Sequence, residues 1–256
     1  MSGKTILSIG IASLLLFSPA YAVEKGSYRT LLKRSGEVLW QASWTVGTVQ
    51  ENGREIVRFE EEGSGRYNAS PEDIRWTVQA SYIDQDPPLV LETRRVARGA
   101  DNTVLWEKRK VFDRVQGRLI AEQFQHGKLK EREVERMPAG RIYTSETLPM
   151  LLRGLDFKAR EPAVFYTFSS DGDLRKVRAY VRGVETIRVP AGAFECYKVE
   201  LRLDLGPATF LAKAFVPKTF MWFTAAPPHH WVKFEGLERG LGSPYVAMEL
   251  VDKQDQ

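Results

Sequence analysis

The sequence predicts a mainly β protein: a large antiparallel meander that forms a curved sheet or incomplete barrel, with one short helix near residues 145–155. Three observations carry this. Apolar and polar residues alternate with period two through most of the chain, which sends one side of each segment to a core and the other to water. Turn residues recur every ~8–12 residues, which suits about a dozen strands joined by short turns. One stretch replaces alternation with helix start and stop signals.

From Val38 to Val46, one face carries Val38, Trp40, Ala42, Trp44 and Val46, and the other Leu39, Gln41, Ser43 and Thr45. Asn52-Gly53 is a strong hairpin signal, and Glu55 to Glu61 is the returning strand. Trp76, Val78, Ala80 and Tyr82 alternate again; Pro87-Pro88 interrupts and Leu89 to Val96 resumes. Asp101-Asn102 turns into Thr103 to Phe112, with Val104, Trp106 and Phe112 on one face. Gly117 and Gly127 delimit Arg118 to Gln125 and Lys128 to Arg136. The charge of the latter suits a protected edge strand. In the helical stretch Ser145 is the expected cap, Pro149 suits the first turn and Gly154 the stop. Phe165 to Phe168 then enters a turn at Asp171-Gly172. Leu174 to Val181 and Val184 to Val189 are read as a pair around Gly183, and Pro190 to Gly192 turns into Phe194 to Leu203. Gly206-Pro207 precedes Phe210 to Val216, and His230 to Phe234 and Val246 to Val251 complete the set.

The N-terminus has a separate logic. Lys4, an apolar run from Ile6 to Phe17, Pro19 and small residues at Ala20 and Ala22 make a secretory signal cut before Val23. The run of ~12 residues is short of the ~20 that a bilayer requires. The expected organisation is a signal peptide over 1–22 and a single β-rich periplasmic domain over 23–256. Hydrophobic residues make up 43% of the chain, which supports a packed core. The net charge of +4 comes without a basic block, so nucleic acid is not an expected partner. Membrane contact is expected to be peripheral or absent, and the protein to be a monomer. Cys196 is the one cysteine, so no intramolecular disulfide forms.

Chemical motifs are sparse. His229-His230 follows Pro227-Pro228, and adjacent strand residues face opposite ways, so a surface loop is favoured over a metal site. His126 belongs at a hairpin tip. Asp171-Gly172-Asp173 lacks the calcium-loop spacing, Ser169 and Ser170 lack a nucleophile elbow, and Gly63-Ser64-Gly65 precedes neither a lysine nor a helix. Cys196 shares a strand face with Lys198, Glu200 and Arg202; a packed thiol is favoured over one activated by a nearby cation. No catalytic residue, metal or cofactor is expected. The aromatic residues are the remaining signal, with six Trp, thirteen Phe and nine Tyr. They are core, or the wall of an apolar groove in a barrel that does not close.

Three segments resemble a family of bacterial periplasmic proteins of unknown function: Leu151 to Phe157, Val184 to Val199 and Trp231 to Gly236. The specific part is V-P-A-G-x-F-x-x-Y-x-V, from Val189 to Val199. The resemblance implies a fold similar to the half-open barrel of the LolA and LolB lipoprotein carriers, which hold acyl chains on a curved sheet. It brings no catalytic residues, and the chain differs from LolB in lacking a lipidated cysteine. The expected function is non-enzymatic binding of a hydrophobic ligand, a lipid or a lipoprotein, on the concave face. Trp40, Trp44, Trp76, Trp106 and Trp222 are the expected ligand-binding walls, and Leu151 and Leu152 the lid. The alternatives are an envelope scaffold with a filled core and, behind it, an envelope hydrolase.

Overall fold

A computed structural model describes residues 21–67, 72–168, 174–204, 217–238, 240 and 242–255. Among them fifteen strands form one sheet. Eight come before the helical stretch: β1 (Tyr21–Leu32), β2 (Val38–Glu51), β3 (Arg54–Gly65), β4 (Ile74–Ile83), β5 (Leu89–Arg98), β6 (Val104–Asp113), β7 (Arg118–Gln125) and β8 (Lys128–Arg136). The short β9 (Ile142–Thr144) leads into α1 (Leu148–Leu151) and a 3-10 turn at Leu152–Gly154. Six more follow: β10 (Ala163–Phe168), β11 (Leu174–Val189), β12 (Gly192–Leu203), β13 (Thr219–Thr224), β14 (Trp231–Leu237) and β15 (Tyr245–Asp255). Each strand pairs with its sequence neighbours except β8 and β9, and β1 pairs with β15. The result is a single curved sheet, left open between β8 and β9 and not closed into a barrel. Its one parallel pair among the described strands is β9 with β10.

The turns have local causes. Asn52 and Gly53 both take positive φ, 51° and 73°, which matches the twist of the β2–β3 hairpin. His126 and Gly127 do the same at the β7–β8 tip. Pro190 and Ala191 form the two-residue link between Val189 and Gly192.

Two expectations are corrected. Residues 174–189 form one continuous strand rather than a hairpin: Gly183, at φ 131°, absorbs a register shift against β12. Ser145 does not cap α1; Thr147 occupies that position, where Thr144 and Thr147 exchange backbone and hydroxyl hydrogen bonds. The helical stretch is one α turn and one 3-10 turn. Gly63 and Gly65 belong to β3, and Met221 to Phe223 to β13. Asp171-Gly172-Asp173, Ser169, Ser170, Gly206-Pro207, Phe210 to Val216 and most of the signal segment lie outside the described residues.

The main core lies on the concave face and draws on both halves of the sheet. Two close approaches let large rings lie flat there. A Cβ at Gly63 would come within 2.1 Å of the Trp76 ring, and one at Gly26 within 2.7 Å of Trp44. Gly63→Ala should therefore destabilise the protein by about 1–3 kcal/mol through overpacking, a fall of several degrees in Tm. Gly154→Ala, with open space around it, should stay within about 0.5 kcal/mol. Thermal melts followed by circular dichroism compare the two.

Candidate functional site

Inward-pointing aromatics from adjacent strands meet at the centre of the concave face. Tyr28 of β1 packs edge-on to Trp40 of β2 at 5.7 Å and to Trp231 of β14 at 5.2 Å. Trp40 meets Trp76 of β4 at 5.3 Å, and Tyr67 stacks on Trp76 at 4.6 Å. Such edge-to-face pairs contribute beyond their burial. Each polar tip has a partner. The Trp76 Nε1 donates to Glu61 at 2.8 Å, Tyr28 donates its hydroxyl to the same carboxylate, and the Trp40 Nε1 donates to Glu238 at 2.8 Å. Burial pushes the Tyr28 phenol well above its usual range, and the Glu61 charge adds to it. Arg95 of β5 donates to the Tyr67 hydroxyl and lies over its ring.

The segment from Thr144 to Leu155 is an internal plug. Its apolar residues Met150, Leu151 and Leu152 are buried. Arg153 forks onto Glu24 of β1 at 2.8 and 2.9 Å and also donates to the Pro228 carbonyl. At the other end, Glu146 lies 3.7 Å from both Arg95 and Lys110. Burial alone would raise the Glu146 carboxyl; Lys110 and Arg95 outweigh it and hold it down at about 2.

Between plug and sheet lies a cavity of about 320 Å³. Trp44, Trp106, Trp231, Phe234 and Met248 are among its apolar walls, with Leu148, Pro149 and Met150 from the plug. Its charged residues are Glu61, Arg95, Lys108, Lys110, Glu146 and Glu238. The Trp44 Nε1, though buried, has no hydrogen-bond partner among the described residues.

The structure gathers part of the expected set. Trp40, Trp44 and Trp106 line the cavity. Trp76 stands behind Trp40 and Tyr67, its Nε1 committed to Glu61. Leu151 and Leu152 are core anchors of the plug rather than cavity walls. Trp222 lies on the opposite face with Cys196 and Val232, because Met221 and Phe223 take the inward positions of β13. Its Nε1 donates to Glu185 at 2.7 Å. Sequence reasoning missed the interior charges. Their signal was position: Glu61 shares the parity of Val57 and Phe59, and Lys108 and Lys110 that of Trp106 and Phe112.

The remaining candidates have structural surroundings. Cys196 is fully buried, and burial pushes its thiol up to about 12, with Glu185 and Glu195 adding to it; this is the reverse of cation activation. His229 packs on Phe157 and Tyr197, while His230 lies beside Glu24 and Lys253. Among the described residues no group of three metal-ligating side chains forms, and no helix is long and apolar enough to cross a membrane.

Fold and site together define an open, curved, mainly antiparallel sheet with an internal plug and a cavity lined by both aromatic and charged side chains. A family profile, the protein of unknown function DUF3108, matches residues 41–251, and the chain belongs to that family. No curated protein matches. Solved structures that are similar include two bacterial chains. One is described as a "putative exported protein with YmcC-like fold" from Bacteroides fragilis NCTC 9343, with 10% identity over 90% of this chain and 95% of that one, at a TM-score of 0.35. The other is described as a "putative lipoprotein" from Parabacteroides distasonis ATCC 8503, with 8% identity over 90% and 94%, at 0.34.

Two outcomes test the electrostatics. The Glu146 carboxyl titrates at about 2 in the fold against ~4.3 when unfolded, so its contribution is present above that unfolded value and is lost as pH falls toward 2. The contribution is up to about 3 kcal/mol. Urea midpoints measured from pH 6 to 2 should fall steeply for the natural protein. The fall should be shallower for Glu146→Gln, from a lower starting point at pH 7, because Arg95 and Lys110 then lack their counter-charge. A thiol reagent at pH 8 should label Cys196 slowly in the folded protein and at once in denaturant.

Proposed function

We propose that the protein is a non-enzymatic binder of a hydrophobic ligand, a lipid or a lipidated partner, which it holds on the concave face of its half-barrel in the periplasm. The observation that carries this is the cavity of about 320 Å³ left between plug and sheet, walled by Trp40, Trp44, Trp106 and Trp231. Its size lies at the small end of small-molecule sites, which begin near ~300 Å³. Covering apolar surface there contributes about 25 cal/mol per Å². The signal-like leader supports an exported location, with cleavage after Ala22. The resemblance to the LolA and LolB carriers supports the same reading at the level of fold alone.

The test is native mass spectrometry of mature protein purified from the periplasm, followed by organic extraction. A stoichiometric lipid that co-purifies, and that is lost in a folded Trp106→Asp variant, is the expected result. A clean apo mass, with no uptake after incubation with lipid, would overturn the proposal in favour of a scaffold with a filled interior.

A further inference from the structure

The two ends of the plug are held by ion pairs of different quality. Arg153 meets Glu24 in two hydrogen bonds of 2.8 and 2.9 Å, the geometry of a complete pair. Glu146 lies 3.7 Å from each of its cations, beyond hydrogen-bond distance. Its side chain is only 8% exposed, and its Oε2 has no hydrogen-bond partner among the described residues. A buried oxygen in that state is unfavourable. The charge is neutralised there while its hydrogen bonding is unfinished. Arg95, Lys108, Lys110 and Glu146 all face the cavity, and Glu146 is the one of the four carried by the plug rather than by the sheet.

We infer that Glu146 is a resident substitute for the acidic head of the ligand. The ligand class is a single-chain amphiphile with an anionic head, carboxylate or phosphate monoester. The head displaces Glu146 from Arg95 and Lys110, and the tail lies along Trp40, Trp44 and Trp106. This rests on the ligand-binding reading above and names its ligand. Because both anions compete for the same two cations, occupancy by the ligand loosens the Glu146 end of the plug while the Arg153 end stays fastened. Ligand entry and the release of one plug end become a single event.

The experiment uses full-length mature protein stripped of co-purifying lipid, with binding followed calorimetrically. The probes are dodecanoate, dodecyl phosphate, the neutral methyl dodecanoate, and acetate as a head without a tail. Dodecanoate or dodecyl phosphate should bind at least about tenfold more tightly than the ester, and acetate should not bind. The ratio of the two charged amphiphiles reads the head preference. Glu146→Gln should tighten the charged amphiphiles about tenfold and leave the ester within about twofold. Equal affinity for acid and ester, or acetate binding as tightly as dodecanoate, overturns the inference while ligand binding stands. An unchanged charged-amphiphile affinity in Glu146→Gln overturns the displacement. If neither acid nor ester binds, the ligand-binding reading falls with it. Should Glu146→Gln fail to fold, the acid–ester comparison on the unaltered protein decides alone.

Discussion

The pairing of the first strand with the last organises the molecule. β1 and β15 run antiparallel from Glu24 opposite Asp255 to Leu32 opposite Val246. Each half of the chain is a meander of local contacts, and such hairpins form at little entropic cost. Joining β1 to β15 is the long-range step, because it closes a loop of nearly the whole described chain. Without it there would be two flat-sided ribbons, each with an exposed apolar face. With it, Tyr28 on β1 comes between Trp40 on one half and Trp231 on the other, and that contact carries the aromatic cluster across the seam.

The interior then presents an electrostatic problem. Glu61 and Lys110 are charged residues placed where strand alternation calls for apolar ones, and Glu146 enters the interior from the turn before α1. Isolated burial of such groups is costly, so each is paired or hydrogen-bonded. Glu61 holds two aromatic polar groups, one from Tyr28 and one from Trp76, and thereby fixes the attitude of the rings. Glu146 balances Lys110 and Arg95 and ties the plug to the sheet. The charges orient the apolar wall.

Much of the fold was legible because period-two alternation is a direct record of which side of a strand is wet. β7 and β8 match their predicted bounds, and the Asn52-Gly53 turn follows from its residue types. The misses have physical reasons. β9 is three residues long, too short to show a period, and pairs in parallel with a strand more than twenty residues later. Gly183 reads as a turn from sequence, yet it serves as a bulge because β12 continues alongside it. The site was half legible. Indoles on an apolar parity mark a wall, but parity does not say which face of the sheet is concave, and Trp222 falls on the other one.

The gap between β8 and β9 bears on the width of the cavity. The radius of a closed barrel is dictated by strand number and stagger. This sheet has two unpaired margins, one lined with alternating Lys, Glu and Arg and the other only three residues long and buried, so both are poor templates for further pairing. Its bore is accordingly not quantised. The interior is gauged instead by what fills it: the plug, fastened through Arg153 to Glu24 and through Glu146 to Arg95 and Lys110, and the side chains of one core cluster that both halves of the sheet supply.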